Sequence, residues 1–213
     1  MKITKYAHAT MVVEVAGKKL LIDPGTFTSD FGAIDTTIVA IVVTHVHADH
    51  FDPEHITRVA AANPDVQVFA TQQVADKLPG HKVTVVTSGD QVTIGPFELQ
   101  FFGELHAVVH ADRPQDQNVG VLVNNTFYYP GDSFTEPHLP VKLLALPVSG
   151  PWLKMSEVID FFAAIKPTQI CFLTHDALLS EAGLNMMNSW AAKACEDLGI
   201  TFAPLKQGES IDI

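Results

Sequence analysis

Apolar residues arrive along this chain in short runs, each closed by glycine, proline, asparagine or aspartate. Met11-Val12-Val13-Glu14-Val15 and Lys19-Leu20-Leu21-Ile22 flank Ala16-Gly17-Lys18 and read as a β-hairpin. Ile38 to Val43 is an unbroken apolar run, the signature of a strand covered on both faces. Pro53 to Ala62 follows as a helix with Asp52 as its N-cap, ended near Asn63-Pro64. Val66 to Ala70 and Lys82 to Val86 are strands around a short helix, Gln72 to Leu78. Two further hairpins follow, Gln91–Ile94 with Phe97–Phe102 and Val119–Val123 with Thr126–Tyr129. Leu143 to Leu146 and Gln169 to Leu173 are strands, and Ser156 to Ile165 and Asn185 to Leu198 helices, the last with Gly199 at its C-terminal end. The tail from Ile200 adds a short strand or hairpin. Hairpins first, then alternating strand and helix, occur twice over. The pattern predicts an α/β chain of two similar halves, each a sheet covered by helices on one side, within one domain spanning 1–213.

Composition narrows the class. At 213 residues, 47% hydrophobic and 17% charged, the chain can bury a sizeable core. A formal net charge of -11 opposes nonspecific binding to a nucleic-acid backbone. The opening Met1-Lys2-Ile3-Thr4-Lys5-Tyr6 lacks the apolar core of a signal peptide, and no apolar stretch is long enough to span a bilayer. Cys171 and Cys195 sit in no C-x-x-C pattern and read as reduced core residues. These features predict a cytoplasmic enzyme whose partner is a small molecule, with neither nucleic acid nor membrane.

Chemistry concentrates where the strands end. Thr44-His45-Val46-His47-Ala48-Asp49-His50 places four metal-ligating side chains directly after the Ile38–Val43 run. Asp23, His106, Asp132 and His175 follow other apolar runs in the same way. Ligands at strand ends converge on one edge of a rigid scaffold. His8 lies just before the first hairpin, where it can line a pocket or orient a ligand. His110, in the polar stretch Val108 to Gln117, can reach a substrate. Trp152, between a strand end and a helix, suits a pocket wall. Phe27 and Phe31 anchor the loop from Thr26 to Asp35. His55 and His81 read as surface residues, and His138 has no role.

On His45-x-His47-x-Asp49-His50, with Asp23, His106, Gly131-Asp132 and His175 in that order, the chain resembles the metallo-β-lactamase fold superfamily along essentially its whole length. His8-Ala9-Thr10 and Leu21-Ile22-Asp23-Pro24 look most like the compact hydrolases related to ascorbate-6-phosphate lactonase. The resemblance implies a four-layer αββα sandwich and two divalent metal ions. His45, His47 and His106 would hold one; Asp49, His50 and His175 the other; Asp132 would bridge them. Asp23 would fix the tautomer of a ligand histidine. Nitrogen and oxygen donors without thiolate suit zinc, with manganese or iron as alternatives. A hydroxide shared by the two ions would cleave a small ester, lactone, phosphodiester or thioester, with Asp132 holding the ions together and Asp49 taking part in proton transfer. An iron-dependent oxidoreductase and a non-catalytic metal-binding protein are the alternatives on the same fold.

Overall fold

The computed structural model describes residues 1–29 and 35–213; Phe31, expected as a loop anchor, lies outside the described residues. The strands are β1 (Lys2–Lys5), β2 (Met11–Val15), β3 (Lys18–Ile22), β4 (Ile38–Val43), β5 (Gln67–Ala70), β6 (Val83–Val85), β7 (Gln91–Ile94), β8 (Phe97–Phe102), β9 (Gly120–Val123), β10 (Phe127–Tyr129), β11 (Leu143–Pro147), β12 (Ile170–Thr174), β13 (Thr201–Phe202) and β14 (Ser210–Asp212). The helices are α1 (Pro53–Ala62), α2 (Gln72–Asp76), α3 (Met155–Ile165) and α4 (Glu181–Leu198). They build two seven-stranded sheets, ordered β14-β1-β2-β3-β4-β5-β6 and β13-β12-β11-β10-β9-β8-β7.

Side-chain alternation explains the layers. In β2, Met11 and Val13 point between the sheets, whereas Val12 points outward. Leu20 and Ile22 likewise alternate with Leu21, and Ala40 and Val42 with Ile41 and Val43. The inner residues meet Phe97, Phe101, Val121, Phe127, Tyr129 and Phe172 of the second sheet. The outer face of the first sheet is covered by Ile56 and Val59 of α1 and Val74 of α2. Val158, Phe161 and Phe162 of α3 and Met187, Ala191 and Cys195 of α4 cover the second. Helix, sheet, sheet, helix is the expected αββα sandwich.

The strand directions set the site edge. The strands β3 to β6 run parallel, so β3 and β4 end on one edge of their sheet. The antiparallel steps β8 to β9 and β9 to β10, then the parallel steps to β11 and β12, bring the carboxyl ends of β8, β10 and β12 to one edge of the other. A β-bridge between His45 and Asn118 joins the two edges.

Three element readings change. The helix α4 begins at Glu181 rather than Asn185, because the Ser180 hydroxyl accepts from the Gly183 amide and caps it. The tail forms no hairpin but two short strands: β13 adds to β12, and β14 adds to β1, a strand that the polar sequence Lys2–Lys5 hides. Gly103 to Leu105 separate His106 from its strand. Among the described residues, no helix is long and apolar enough to cross a membrane.

Candidate metal centre

The turn after β3 starts the site. Asp23 is fully buried in the left-handed region, with φ 47. Its Oδ1 accepts the Thr44 amide at 2.7 Å, and its Oδ2 accepts both the Thr44 hydroxyl at 2.7 Å and His50 Nδ1 at 2.7 Å. One carboxylate therefore ties the end of β3 to the loop after β4. That loop packs against Gly25, where a Cβ would lie 1.9 Å from the Asp49 carbonyl oxygen. Only glycine permits this approach.

Hydrogen bonds fix which nitrogen of each imidazole carries a proton. His50 gives its Nδ1 proton to Asp23, which leaves Nε2 as the lone-pair nitrogen. The Thr44 hydroxyl has donated to Asp23, so its oxygen accepts from His45 Nδ1 at 3.0 Å. His106 donates from Nδ1 to the Ala107 carbonyl at 2.6 Å. His47 is reversed: its Nε2 donates to Asp116 Oδ2 at 3.0 Å, which frees Nδ1.

The lone pairs converge on Asp132. His50 Nε2 lies 3.1 Å from its Oδ1; His175 Nε2 lies 3.0 Å, His106 Nε2 3.3 Å and His45 Nε2 3.8 Å from its Oδ2. Within 4.8 Å, one group of ligand atoms comes from His45, His47, His106 and Asp132, and a second from His8, Asp49, His50 and His175. Asp49 Oδ2 lies 3.5 Å from His175 Nε2 and 3.8 Å from His50 Nε2.

Whether these residues fit cations is decided by what they leave unmade. Among the described residues, His45 Nε2, His50 Nε2, His106 Nε2, His175 Nδ1 and Nε2, and Asp132 Oδ1 are buried side-chain atoms without a hydrogen-bond partner. Leaving one such group buried and unpaired costs about 1–3 kcal/mol. Lone-pair nitrogens and a carboxylate oxygen clustered in this way are donors for divalent cations. For His45 and Asp132 the electrostatics agree, whereas at His50 the neighbouring carboxylates favour a proton on Nε2 that a cation would replace. Burial, then repulsion from His50, drives His45 well below the ordinary histidine range. Burial opposes ionisation of Asp132, but His50, His175 and His45 hold its carboxyl well below the usual range. Burial also opposes charge on His50, which Asp132 and Asp23 nevertheless raise well above the ordinary value.

The structure adds three residues to the cluster. His8 is buried; its Nδ1 accepts the Ala177 amide at 3.3 Å, and its Nε2 donates to Asp49 Oδ2 at 3.0 Å. Trp152 is only 6% exposed, and its indole N–H donates to Asp132 Oδ2 at 2.9 Å, so it supports the cluster from within rather than walling a pocket. Asp116, which the sequence did not single out, holds His47 and accepts Gln73 Nε2 at 3.1 Å on its other oxygen. No local signal marks Asp116, since its partners lie 43 and 69 residues away.

The other histidines stand apart. His110 is exposed, and its Nδ1 accepts the Asp112 amide. His138 is exposed beside Glu136. His81 bonds the Thr57 hydroxyl at 3.1 Å. His55 corrects the surface reading: it is 8% exposed, with Nδ1 3.4 Å from the Pro24 carbonyl. The turn at Pro24 lies over this helix and covers it.

Comparison with known proteins follows the same geometry. The family model described as Beta-lactamase superfamily domain matches residues 2–172. A protein of Mycobacterium tuberculosis, Rv0786c, is 33% identical over 174 residues, which cover 79% of this chain and 81% of that one. A UPF0173 protein of Pyrococcus furiosus is 29% identical over 200 residues, 85% of this chain and 86% of its own. Among solved structures, the metallo hydrolase Igni18 of Ignicoccus hospitalis superposes with a TM-score of 0.76 at 16% identity, covering 99% of this chain and 97% of that one.

Proposed function

The chain belongs to the β-lactamase superfamily domain family, and from that premise we propose that it is a metal-dependent hydrolase of small uncharged or phosphorylated substrates, with two divalent ions at the Asp132 cluster. One observation carries this reading: orphaned, buried imidazole nitrogens that follow three strands converge on one carboxylate that follows a fourth. His45, His47 and His106 would hold the first ion and Asp49, His50 and His175 the second, with Asp132 shared between them. The donors are nitrogen and oxygen alone, which suits zinc, manganese or iron. Two such ions, when bound, supply Lewis acidity and make water nucleophilic at neutral pH.

The protein residues give that chemistry its geometry. The Trp152 N–H occupies one lone-pair direction of Asp132 Oδ2 and so fixes the rotation of the bridging carboxylate. Asp23 and Asp116 fix the tautomers of His50 and His47. His8 donates to Asp49 and keeps that carboxylate oriented, and Asp49 would take the proton of the attacking water and return it to the leaving group. The bond this arrangement would cleave is that of an ester, lactone, phosphodiester or thioester.

A hydrolysis screen tests the proposal. The protein, purified from minimal medium, is analysed for metal and reconstituted with zinc or manganese, then offered lactone, phosphodiester and thioester substrates. Metal-dependent hydrolysis of at least one class is expected. Recovery of iron with oxygen consumption and no hydrolysis would overturn the reading in favour of an oxidoreductase.

A further inference from the structure

Beside the cluster lies a cavity of ≈ 270 Å³, lined by Thr71, Val85, Val86, Leu105, Gln117 and Val119 among others. Its walls are chain neighbours of three site residues. Leu105 precedes His106, Gln117 follows the Asp116 that holds His47, and Val119 follows the Asn118 that bridges His45. The cavity is thus attached to the site edge on the side of the His45, His47 and His106 group.

Its chemistry is specific. The apolar lining is partly open: Leu105 is 49% and Val85 39% exposed. Glu104 is the one charged lining residue, and neither lysine nor arginine lines the cavity.

We propose that this cavity is the subsite for an uncharged, apolar arm of the substrate. The inference rests on the hydrolase reading and narrows it. The absence of lining cations, together with Glu104, excludes a phosphorylated or carboxylate arm from this cavity and favours an ester, lactone or thioester with an aliphatic or single-ring substituent. Val85 sets how long that arm can be, because its exposed side chain stands at the rim.

Two measurements on the full chain test this. Binding of hexanol to the metal-free protein is followed through the methyl resonances of Val85, Val86 and Val119. Saturable shifts confined to these residues are expected, with affinity lowered about tenfold in Val85→Trp, which fills the cavity. The metal-reconstituted protein is then assayed with para-nitrophenyl acetate, butyrate and hexanoate. The kcat/KM should rise on the order of 10–100-fold from acetate to hexanoate, chiefly through KM. In Val85→Trp the rise should vanish. Hexanol binding elsewhere, or a chain-length gain that survives Val85→Trp, overturns the subsite. Hexanol binding at the cavity with no ester turned over overturns the hydrolytic reading and with it the substrate role, leaving a ligand cavity.

Discussion

Single residues decide how this cluster is held. His47 is the one imidazole of its group whose Nε2 is engaged, and Asp116 engages it at 3.0 Å. Asp116→Asn keeps the shape and weakens the acceptor; Asp116→Ala removes it. Both should lower the affinity of the first ion, Asp116→Ala on the order of 10–100-fold, as measured by chelator competition. Equal affinities in parent and Asp116→Ala would show the contact to be incidental. Asp23→Ala should lower affinity by a similar factor, through His50. Gly25 is a different case, because its role is space. A methyl there would meet the Asp49 carbonyl at 1.9 Å, so Gly25→Ala must displace the loop that carries Asp49 and His50. The expected result is one ion per chain rather than two, with the His45 group still loaded. His8, Asp23 and His175 all have positive φ without being glycine, a backbone cost of order 1–3 kcal/mol each that the surrounding contacts hold in place.

Elements carry these residues to one edge. The apolar runs of β4 and β11 are buried along nearly their whole length because parallel strands are covered on both faces, and such runs are visible in sequence. Helix starts are less visible. The start of α4 depends on one hydroxyl, Ser180, accepting from Gly183 at 3.2 Å, and Glu181 to Leu184 lack an apolar period that would announce a helix. Ser180→Ala should cost about 0.5–2 kcal/mol in chemical denaturation. An unchanged midpoint would mean that packing of Met187, Ala191 and Cys195 against the second sheet holds the helix without its cap. The strand β1, which lies between β14 and β2, is hidden for another reason. Lys2-Ile3-Thr4-Lys5 is polar enough to pass for a tail, but Ile3 is fully buried between the sheets and β14 pairs with it from the far end of the chain.

At the scale of the whole molecule, the site is a seam. The ligand groups come from both sheets, with His45, His47, Asp49 and His50 after β4, and His106, Asp132 and His175 after strands of the other sheet. Cations bound there join the two halves and are linked to folding. Chelation should therefore lower the melting temperature, and saturating zinc should raise stability by about 2.7 kcal/mol at 100 times the dissociation constant. A melting temperature indifferent to chelator and zinc would show that the cluster does not bind the ion in the folded state. The cavity lined by Val85 and Leu105 is also a seam feature, since β6 belongs to the first sheet and Leu105 follows the second sheet's β8.

The sequence by itself determined the layers and the donor set. Apolar runs ending in His or Asp appear in any window long enough to hold a strand and its turn, and two repeats of hairpin then strand and helix imply two sheets. What only the tertiary structure decided is who holds whom. Asp116 reaches His47, Trp152 reaches Asp132 and His8 reaches Asp49 across 69, 20 and 41 residues. Pattern reports a residue's own face, in or out. Which buried nitrogen carries a proton, and which is left free for a cation, depends on a partner that no local period specifies.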